Sequence, residues 1–359
     1  MRNIYFTVGP SQIFPTVAKH AKSALREDIF SLSHRGKEFS DLYKSISINL
    51  KKLLSIPDDY HLFFLSSGTE GMERVIQNCV EHKSFHFIEG KFGDKFFAMA
   101  KELGKDALMV GQKGLTGFDF KNIKIPKGVE MLCFTQNDTS TGMQIPMSEI
   151  YKICKKHPDL LVSIDTVSSV PYVDIDYTKI DCVFFSVQKG FGLPAGLGVM
   201  VVSPRAVEKA SRLAKKGINI GTYHSLLTLR EHESKFQTPE TPNVFAIYLL
   251  NKVLQDFLKI GIKKLRSDTE KKAMYMYDFF KKNQQFHPLI KNKHLRSQTT
   301  LVIEVSQGSK NLIQSLASKG LIVGSGYGEF KDKHIRIANF PAHRLKDIKN
   351  LVKAIKESV

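Results

Sequence analysis

The chain contains no tryptophan, few cysteines and no long apolar segment. Its four cysteines, at positions 79, 133, 154 and 182, lack the close spacing of a zinc site and the density of a disulfide scaffold. Membrane helices need roughly 18 or more consecutive apolar residues, and no such run occurs. The N-terminus also lacks the charged and apolar parts of a signal segment. We therefore expect a cytoplasmic protein with reduced thiols, no bound metal and no membrane span.

Acidic residues are also scarce relative to basic ones, with 35 Asp and Glu against 53 Lys and Arg and a net charge of +18. Such a surplus raises nucleic-acid binding as a hypothesis. However, the lysines are spread through helical segments such as 209–216 and 263–272, without interleaved aromatic residues. We expect a solvated basic surface that attracts anionic substrates. A basic nucleic-acid-binding protein on a degenerate enzyme scaffold stays a remote alternative.

Apolar segments alternate with helical ones from about residue 16 to residue 203, a pattern typical of an α/β fold with a mainly parallel sheet. Predicted strands cover 62–65, 84–88, 107–110, 130–135, 161–165, 182–187 and 198–203. Predicted helices between them cover 71–82, 94–103 and 148–156. A long helical stretch then runs from Pro242 to about Phe280. The remainder predicts a small α+β lobe, with strands at 299–305, 321–323 and 334–338 and helices at 310–319 and 345–357.

Lys189 is the most informative residue, because it follows a buried apolar strand and lies in a turn of small residues. Loss of hydration disfavours the charged form of a lysine and leaves a nucleophilic amine. Asp165 ends another apolar strand 24 residues earlier, about one strand-crossover-strand unit. Pyridoxal phosphate (PLP) uses such a pair: a lysine holds its aldehyde as an imine, and an aspartate keeps its ring nitrogen protonated.

A third motif lies between a short strand and a helix, where Ser67, Gly68 and Thr69 form a tight turn. Free backbone N–H groups at a helix start can bind a phosphate. Alone, the turn is more often an ordinary helix cap, and a lone lysine in a glycine-rich turn is more often a surface residue. The order of turn, carboxylate and lysine predicts a PLP site.

Six further segments, spread over nearly the whole chain, resemble those of a known protein family. They are Phe6–Ser11, Ser33–Phe39, Asp138–Gly142, Asp165–Ser169, Gln188–Lys189 and Arg336–Pro341. With them the chain resembles the class V, fold-type I PLP-dependent aminotransferases, and it is most similar to the phosphoserine aminotransferases among them. The resemblance implies a large PLP-binding domain, residues 14–247, with a seven-stranded mainly parallel sheet between helices. It also implies a small α+β C-terminal domain, residues 248–359 with 1–13.

The resemblance assigns roles around the cofactor ring. Lys189 and Asp165 are the implied catalytic residues. Phe92 takes the place of the ring that stacks on the cofactor, where phosphoserine aminotransferases usually have tryptophan. Thr139 and Gln188 are implied near the phenolic oxygen of PLP. For Phe92 alone, core packing is a competing interpretation of nearly equal weight.

The cofactor phosphate is implied to lie against Ser67, Gly68 and Thr69. Gln237 and Thr238 match a segment that reaches this phosphate from the neighbouring subunit. A homodimer with shared active sites follows from that match.

Substrate binding is implied for three residues. Arg336 matches the arginine that pairs with the substrate α-carboxylate. His34 and Arg35 match the pair that contacts the phosphate of phosphoserine. Glu70, however, occupies the place of an expected phosphate-binding arginine, and a carboxylate there repels a phosphate unless it points away.

The implied reaction is ping-pong transfer of an amino group from glutamate to 3-phosphohydroxypyruvate, a step of serine biosynthesis. Glu70 favours an alternative within the family, an alanine–glyoxylate or serine–pyruvate type enzyme with an uncharged substrate. A cysteine desulfurase is disfavoured, because it needs a reactive cysteine in the small lobe and all four cysteines precede residue 183.

Overall fold

The structure, a computed structural model, describes residues 3–111 and 114–358. Within those ranges the chain forms eleven α-helices and fourteen strands. The helices are α1 (Val17–Arg26), α2 (Lys37–Leu54), α3 (Gly68–Cys79), α4 (Lys91–Glu102), α5 (Met147–Lys156), α6 (Pro204–Lys215), α7 (Leu226–Glu233), α8 (Val244–Ile260), α9 (Ile262–Lys281), α10 (Lys310–Ser318) and α11 (Leu345–Glu357). The strands are β1 (Ile4–Phe6), β2 (His61–Leu65), β3 (Lys83–Ile88), β4 (Asp106–Gly111), β5 (Met131–Thr135), β6 (Asn137–Asp138), β7 (Met143–Gln144), β8 (Leu161–Asp165), β9 (Cys182–Ser186), β10 (Gly198–Val202), β11 (Phe286–Pro288), β12 (Thr300–Val305), β13 (Leu321–Ser325) and β14 (His334–Ala338).

The larger sheet has seven strands in the order β2-β10-β9-β8-β5-β3-β4. Strand β10 runs antiparallel to both of its neighbours, and the other pairings are parallel. Every residue of β5, β8, β9 and β10 is buried, which explains their continuous apolar sequences. The predicted α/β fold with a seven-stranded, mainly parallel sheet is confirmed.

Helices cover both faces of this sheet, because alternate residues of a strand point to opposite sides. In β9, Val183 and Phe185 pack into a core with α2 and α8, whereas Cys182 and Phe184 pack into a core with α3 and α6. The carboxyl ends of the parallel strands therefore lie at one edge of the sheet, between the two helical layers. Ligands of such sheets bind at that edge.

The smaller sheet has five strands in the order β1-β13-β14-β12-β11. Strand β1 pairs in parallel with β13, with Ile4 opposite Leu321. The first strand of the chain thus joins the C-terminal sheet, as the resemblance implied. Helices α10 and α11 cover this sheet through a separate apolar core.

The predicted helical stretch after Pro242 is two helices rather than one. Gly261 separates α8 from α9 and has a φ of +86°, a conformation that favours glycine and ends a helix. None of the helices in the described ranges is long and apolar enough to cross a membrane. The division into domains at residues 14–247 and 248–359 stays a prediction, and residues 1–2, 112–113 and 359 of those ranges lie outside the described residues.

Candidate active site

Lys189 lies in the turn after β9 and is buried, with 6% of its surface exposed. Its Nζ donates hydrogen bonds to Thr139 Oγ1 and Ser168 Oγ, both at 2.9 Å. Burial lowers the pKa of Lys189 to about 8, although the charges of Asp165 and Asp138 oppose the shift. The lowered pKa makes the neutral amine, which a nucleophile or proton acceptor requires, easier to reach than for an exposed lysine.

Asp165 ends β8, the strand next to β9, and is buried. Its Oδ1 accepts a hydrogen bond of 2.8 Å from the backbone N–H of Val167. Burial raises the pKa of Asp165 to about 7, and the nearby Lys189 acts in the opposite direction. A cation beside this carboxyl would favour its ionised form.

The predicted phosphate turn joins β2 to α3. The backbone N–H of Gly68 donates to Ser186 Oγ at 2.6 Å. A Cβ atom at Gly68 would lie 2.4 Å from Val167 Cγ2, so only glycine allows this close approach. The turn thus packs directly against the segments that carry the predicted carboxylate and lysine.

Two further side-chain hydrogen bonds are made at this turn, one by Ser67 itself and one by Lys95 of the next helix. Ser67 caps α3, because its Oγ accepts from the backbone N–H of Glu70 at 3.2 Å. Lys95, an exposed residue of α4, donates to Thr69 Oγ1 at 3.2 Å. A helix N-terminus and a lysine side by side favour an anion at this position.

Phe92 lies in the first turn of α4, and its ring centre lies 5.3 Å from Lys189 Nζ. Asp138 Oδ2 accepts hydrogen bonds from the backbone N–H groups of Phe92 at 2.9 Å and Gly93 at 3.3 Å. Its Oδ1 accepts from the backbone N–H of Ser140 at 2.8 Å. Asp138 therefore holds the start of α4 and the predicted stacking ring, a role that the sequence analysis missed although Asp138 opens one of the quoted motifs.

Gln188 is half-buried, and among the described residues its buried Oε1 atom has no hydrogen-bond partner. Its backbone oxygen accepts from the N–H of Ser11 at 3.2 Å. Close by, Gly9 has a φ of +140°, and a Cβ atom there would lie 2.5 Å from Lys189 Cε. The N-terminal segment thus packs directly against Lys189 and Gln188 and forms a wall of the site. Among the sequence signals, only the resemblance carried by Phe6–Ser11 could have suggested this contact.

Arg336 reaches the same region from the smaller sheet. Its Nη1 donates to the backbone oxygen of Thr139 at 3.5 Å, and its Nε donates to Ser325 O at 2.7 Å. The guanidinium lies 5.3 Å from the ring centre of Tyr327, and that ring lies 6.2 Å from Phe92. The structure places Arg336 against Thr139, a hydrogen-bond partner of Lys189, and Tyr327 is a further neighbour that no sequence motif indicated.

Arg35, Gln237 and Thr238 form a second group. Arg35 Nη1 donates to Gln237 Oε1 at 3.2 Å and to Thr238 O at 2.8 Å, and Nη2 donates to Pro239 O at 3.1 Å. His34 is half-buried beside Arg35, and burial together with the charge of Arg35 lowers its pKa. Within the described ranges, no hydrogen bond or ion pair joins this group to the residues around Lys189.

Glu70 is turned toward partners of its own. Its Oε2 accepts from the N–H and Oγ of Ser66 at 2.7 and 2.8 Å, and its Oε1 contacts His224 Nδ1. Burial alone would raise the pKa of Glu70, but the hydrogen bonds from His224 and Ser66 outweigh it and lower the pKa to about 2. The carboxylate of Glu70 is therefore paired with His224, which it shares with Glu240, instead of facing the phosphate turn unpaired.

Comparisons with known proteins agree with this geometry. The family model described as aminotransferase class-V matches residues 4–329. The chain belongs to the class V aminotransferases. Membership makes it a transaminase, as the sequence predicted.

Two solved structures resemble this aminotransferase over its whole length. The phosphoserine aminotransferase SerC from Cytophaga hutchinsonii is 44% identical, with a TM-score of 0.97, and the match covers 99% of this chain and 98% of that one. The alanine–glyoxylate aminotransferase from Nostoc sp. is 21% identical, with a TM-score of 0.85 and coverage of 100% and 95%. The second likeness shows the shared fold alone.

A relative found by sequence comparison is also a phosphoserine aminotransferase. The phosphoserine aminotransferase of Rhodococcus opacus is 25% identical over 358 residues, which cover 98% of this aminotransferase and 93% of the relative. The chain thus matches such relatives in length as well as in sequence.

Proposed function

We propose that this class V aminotransferase is a PLP-dependent phosphoserine aminotransferase, which transfers the amino group of glutamate to 3-phosphohydroxypyruvate by ping-pong kinetics. The observation that carries the chemistry is the buried amine of Lys189, held by two hydroxyls beside a buried carboxyl and a phosphate-type turn. The proposed substrate draws support from the relative that is 44% identical. It also draws support from Glu70, whose carboxylate is turned to His224 and to Ser66.

The residues present fit PLP. When bound, PLP supplies an aldehyde that bonds to an amino group and a ring that withdraws electrons from the substrate α-carbon. We assign its aldehyde to Lys189 and its ring nitrogen to Asp165. Phe92 offers a flat face for the ring, and the Oε1 atom of Gln188, which has no partner among the described residues, suits its hydroxyl together with Thr139. Ser67, Gly68 and Thr69 suit its phosphate.

Lys189 is also the proposed proton carrier. With its pKa lowered to about 8, its amine can take a proton from the substrate α-carbon and deliver it to C4′ of the cofactor. The hydroxyls of Thr139 and Ser168 hold the amine in position while it is free. Arg336 pairs with the substrate carboxylate, since a guanidinium can bind both carboxylate oxygens.

The second group, formed by His34, Arg35, Gln237 and Thr238, is proposed to serve the neighbouring subunit of a homodimer. Three of its members are linked by hydrogen bonds of Arg35, so they can be presented together. Arg35 keeps donors for a substrate phosphate, because a guanidinium has five N–H groups. The free, buried cysteines suit the reducing cytoplasm, where we place this step of serine biosynthesis.

Covalent attachment of PLP tests the role of Lys189. Borohydride reduction of the PLP-loaded protein, followed by peptide mass mapping, should find the label on Lys189. Lys272 is a matched control inside the same protein, because it is also buried and burial also lowers its pKa to about 8. A label on Lys272 or on neither lysine would contradict the assignment.

The substrate is tested by half-reactions. The PLP form is mixed separately with phosphoserine, serine, alanine and glutamate, and loss of its visible absorbance is followed. We expect conversion by phosphoserine and glutamate. Because Glu70 stands where an arginine was expected, an alanine–glyoxylate or serine–pyruvate type enzyme is the second candidate. Conversion by alanine or serine, with phosphoserine inert, would establish that candidate instead.

A further inference from the structure

His224 lies between the phosphate turn and the loop of residues 237–240. We propose that it is a positioning residue, a charged tie that fixes this loop relative to the turn. The proposal rests on the proposed function, in which the turn holds the cofactor phosphate and the loop serves the neighbouring active site. The tie would thus link the two active sites of a dimer.

The histidine carries a charge because of its partners. It is buried, with 5% of its surface exposed. Its Nδ1 contacts Glu70 Oε1, and its Nε2 lies 3.0 Å from Glu240 Oε2. An ionised carboxylate only accepts hydrogen bonds, so both ring nitrogens must donate. His224 is therefore an imidazolium between two carboxylates.

One end of the tie is anchored in the turn. Glu70 belongs to the first turn of α3 and also accepts two hydrogen bonds from Ser66, the residue just before the turn. Because Ser67 caps the backbone N–H of Glu70, the carboxylate is fixed to the same few residues that form the proposed phosphate site. Movement of Glu70 would move the turn with it.

The other end is anchored in the loop. Thr238 Oγ1 donates to the backbone oxygen of Glu240 at 2.8 Å. Arg35 donates hydrogen bonds to the backbone oxygens of Thr238 and Pro239. The loop is therefore held by several contacts, including the bond from the N–H of Gln237 to the backbone oxygen of His232, and His224 supplies the contact that connects it to the turn.

Hydrogen exchange of the full-length protein tests the tie directly. We expect His224→Gln and Glu240→Gln each to speed exchange in the peptide that spans residues 236–241 by about tenfold, with and without PLP. His232→Gln is the control, because His232 is a half-buried histidine whose Nδ1 lies 2.9 Å from a backbone oxygen, that of Thr228. Unchanged exchange in both test variants, or equal acceleration in the control, would overturn the proposal.

PLP affinity separates this inference from the proposed function. We expect His224→Gln to weaken PLP binding about tenfold, measured by titration of the PLP-free protein, and the double variant with Glu240→Gln to add little to that loss. Additive losses would show that the two residues act separately and would refute the tie. Failure of the unmodified protein to bind PLP would refute the proposed function alone, since exchange in the PLP-free protein still reports on the tie.

Discussion

At the scale of single residues, burial alone does not make a reactive lysine. Burial lowers the pKa of both Lys189 and Lys272 to about 8. Lys272 donates to the backbone oxygens of Phe340 and His343, which connect α9 to the chain before α11. Lys189 donates to two hydroxyls and is influenced by the charge of Asp165. The surroundings of the two lysines therefore differ, and only those of Lys189 suit the proposed role in chemistry.

Gly9 gives a test of the wall beside Lys189. We expect Gly9→Ala to reduce PLP attachment more than tenfold, because the new Cβ would lie 2.5 Å from Lys189 Cε and the φ of +140° strains alanine. Borohydride labelling measures the attachment. Gly104→Ala is the matched control, since Gly104 also has a positive φ, of +72°, but has nothing within 4 Å of a Cβ. That control should lose about 1 kcal/mol of stability and keep full labelling.

His224 makes stability depend on pH. Burial alone would lower its pKa, but the hydrogen bonds to Glu240 and Glu70, the charged groups that face it, raise it from 6.5 to about 9. A raised pKa stabilises the folded state below pH 6.5, and that contribution is lost as the pH rises through about 9. The unmodified protein should therefore exceed His224→Gln by about 3 kcal/mol in free energy of unfolding near pH 6. Urea unfolding should find this difference much smaller at pH 10, and a constant difference would contradict it.

At the scale of elements, the site depends on how helices begin. Helix α3 begins at the phosphate turn, capped by Ser67, and helix α4 begins at Phe92 and its neighbours, held by Asp138. Both starts face the carboxyl edge of the larger sheet, where strands β8 and β9 deliver Asp165 and Lys189. The capped starts of the two helices and the ends of the two strands thus lie at the same edge of the larger sheet.

Asp138 tests the start of α4. We expect Asp138→Ala to cost about 2 kcal/mol of stability and to weaken PLP binding, because two backbone N–H groups lose their acceptor and Phe92 is released. Urea unfolding and PLP titration measure the two effects. Asp94→Ala is the control on the same helix, because its ion pair with Lys91 is exposed and worth little. Equal effects of the two substitutions would refute the role of Asp138.

At the scale of the whole molecule, the basic surface is the feature least explained by the fold. The net charge of +18 is expected to attract anionic substrates over distances that salt screens. We expect kcat/KM for 3-phosphohydroxypyruvate to fall about threefold or more between low salt and 0.5 M salt, with kcat nearly constant. Steady-state kinetics measure both. An equal fall in kcat would mean that salt acts on the protein itself rather than on substrate encounter.

The sequence predicted much of the fold, because apolar periodicity is local information. The buried strands β5, β8 and β9 appear as continuous apolar runs, and their predicted ranges agree with the structure within about two residues. The break at Gly261 was missed, since one glycine inside a long helical pattern does not by itself indicate two helices. The antiparallel direction of β10 also leaves no local signal.

The sequence by itself determined where Lys189, Asp165 and the turn of Ser67 to Thr69 lie in the fold, because each is a short motif at the end of a recognisable strand, and it predicted their roles together. Tertiary structure alone decided what Glu70 does, since its partner His224 lies 154 positions away along the chain. It also decided that Asp138 holds the start of α4 and that Gly9 touches Lys189. These contacts join segments that meet only when the sheet and its helices pack, and a linear pattern carries no record of them.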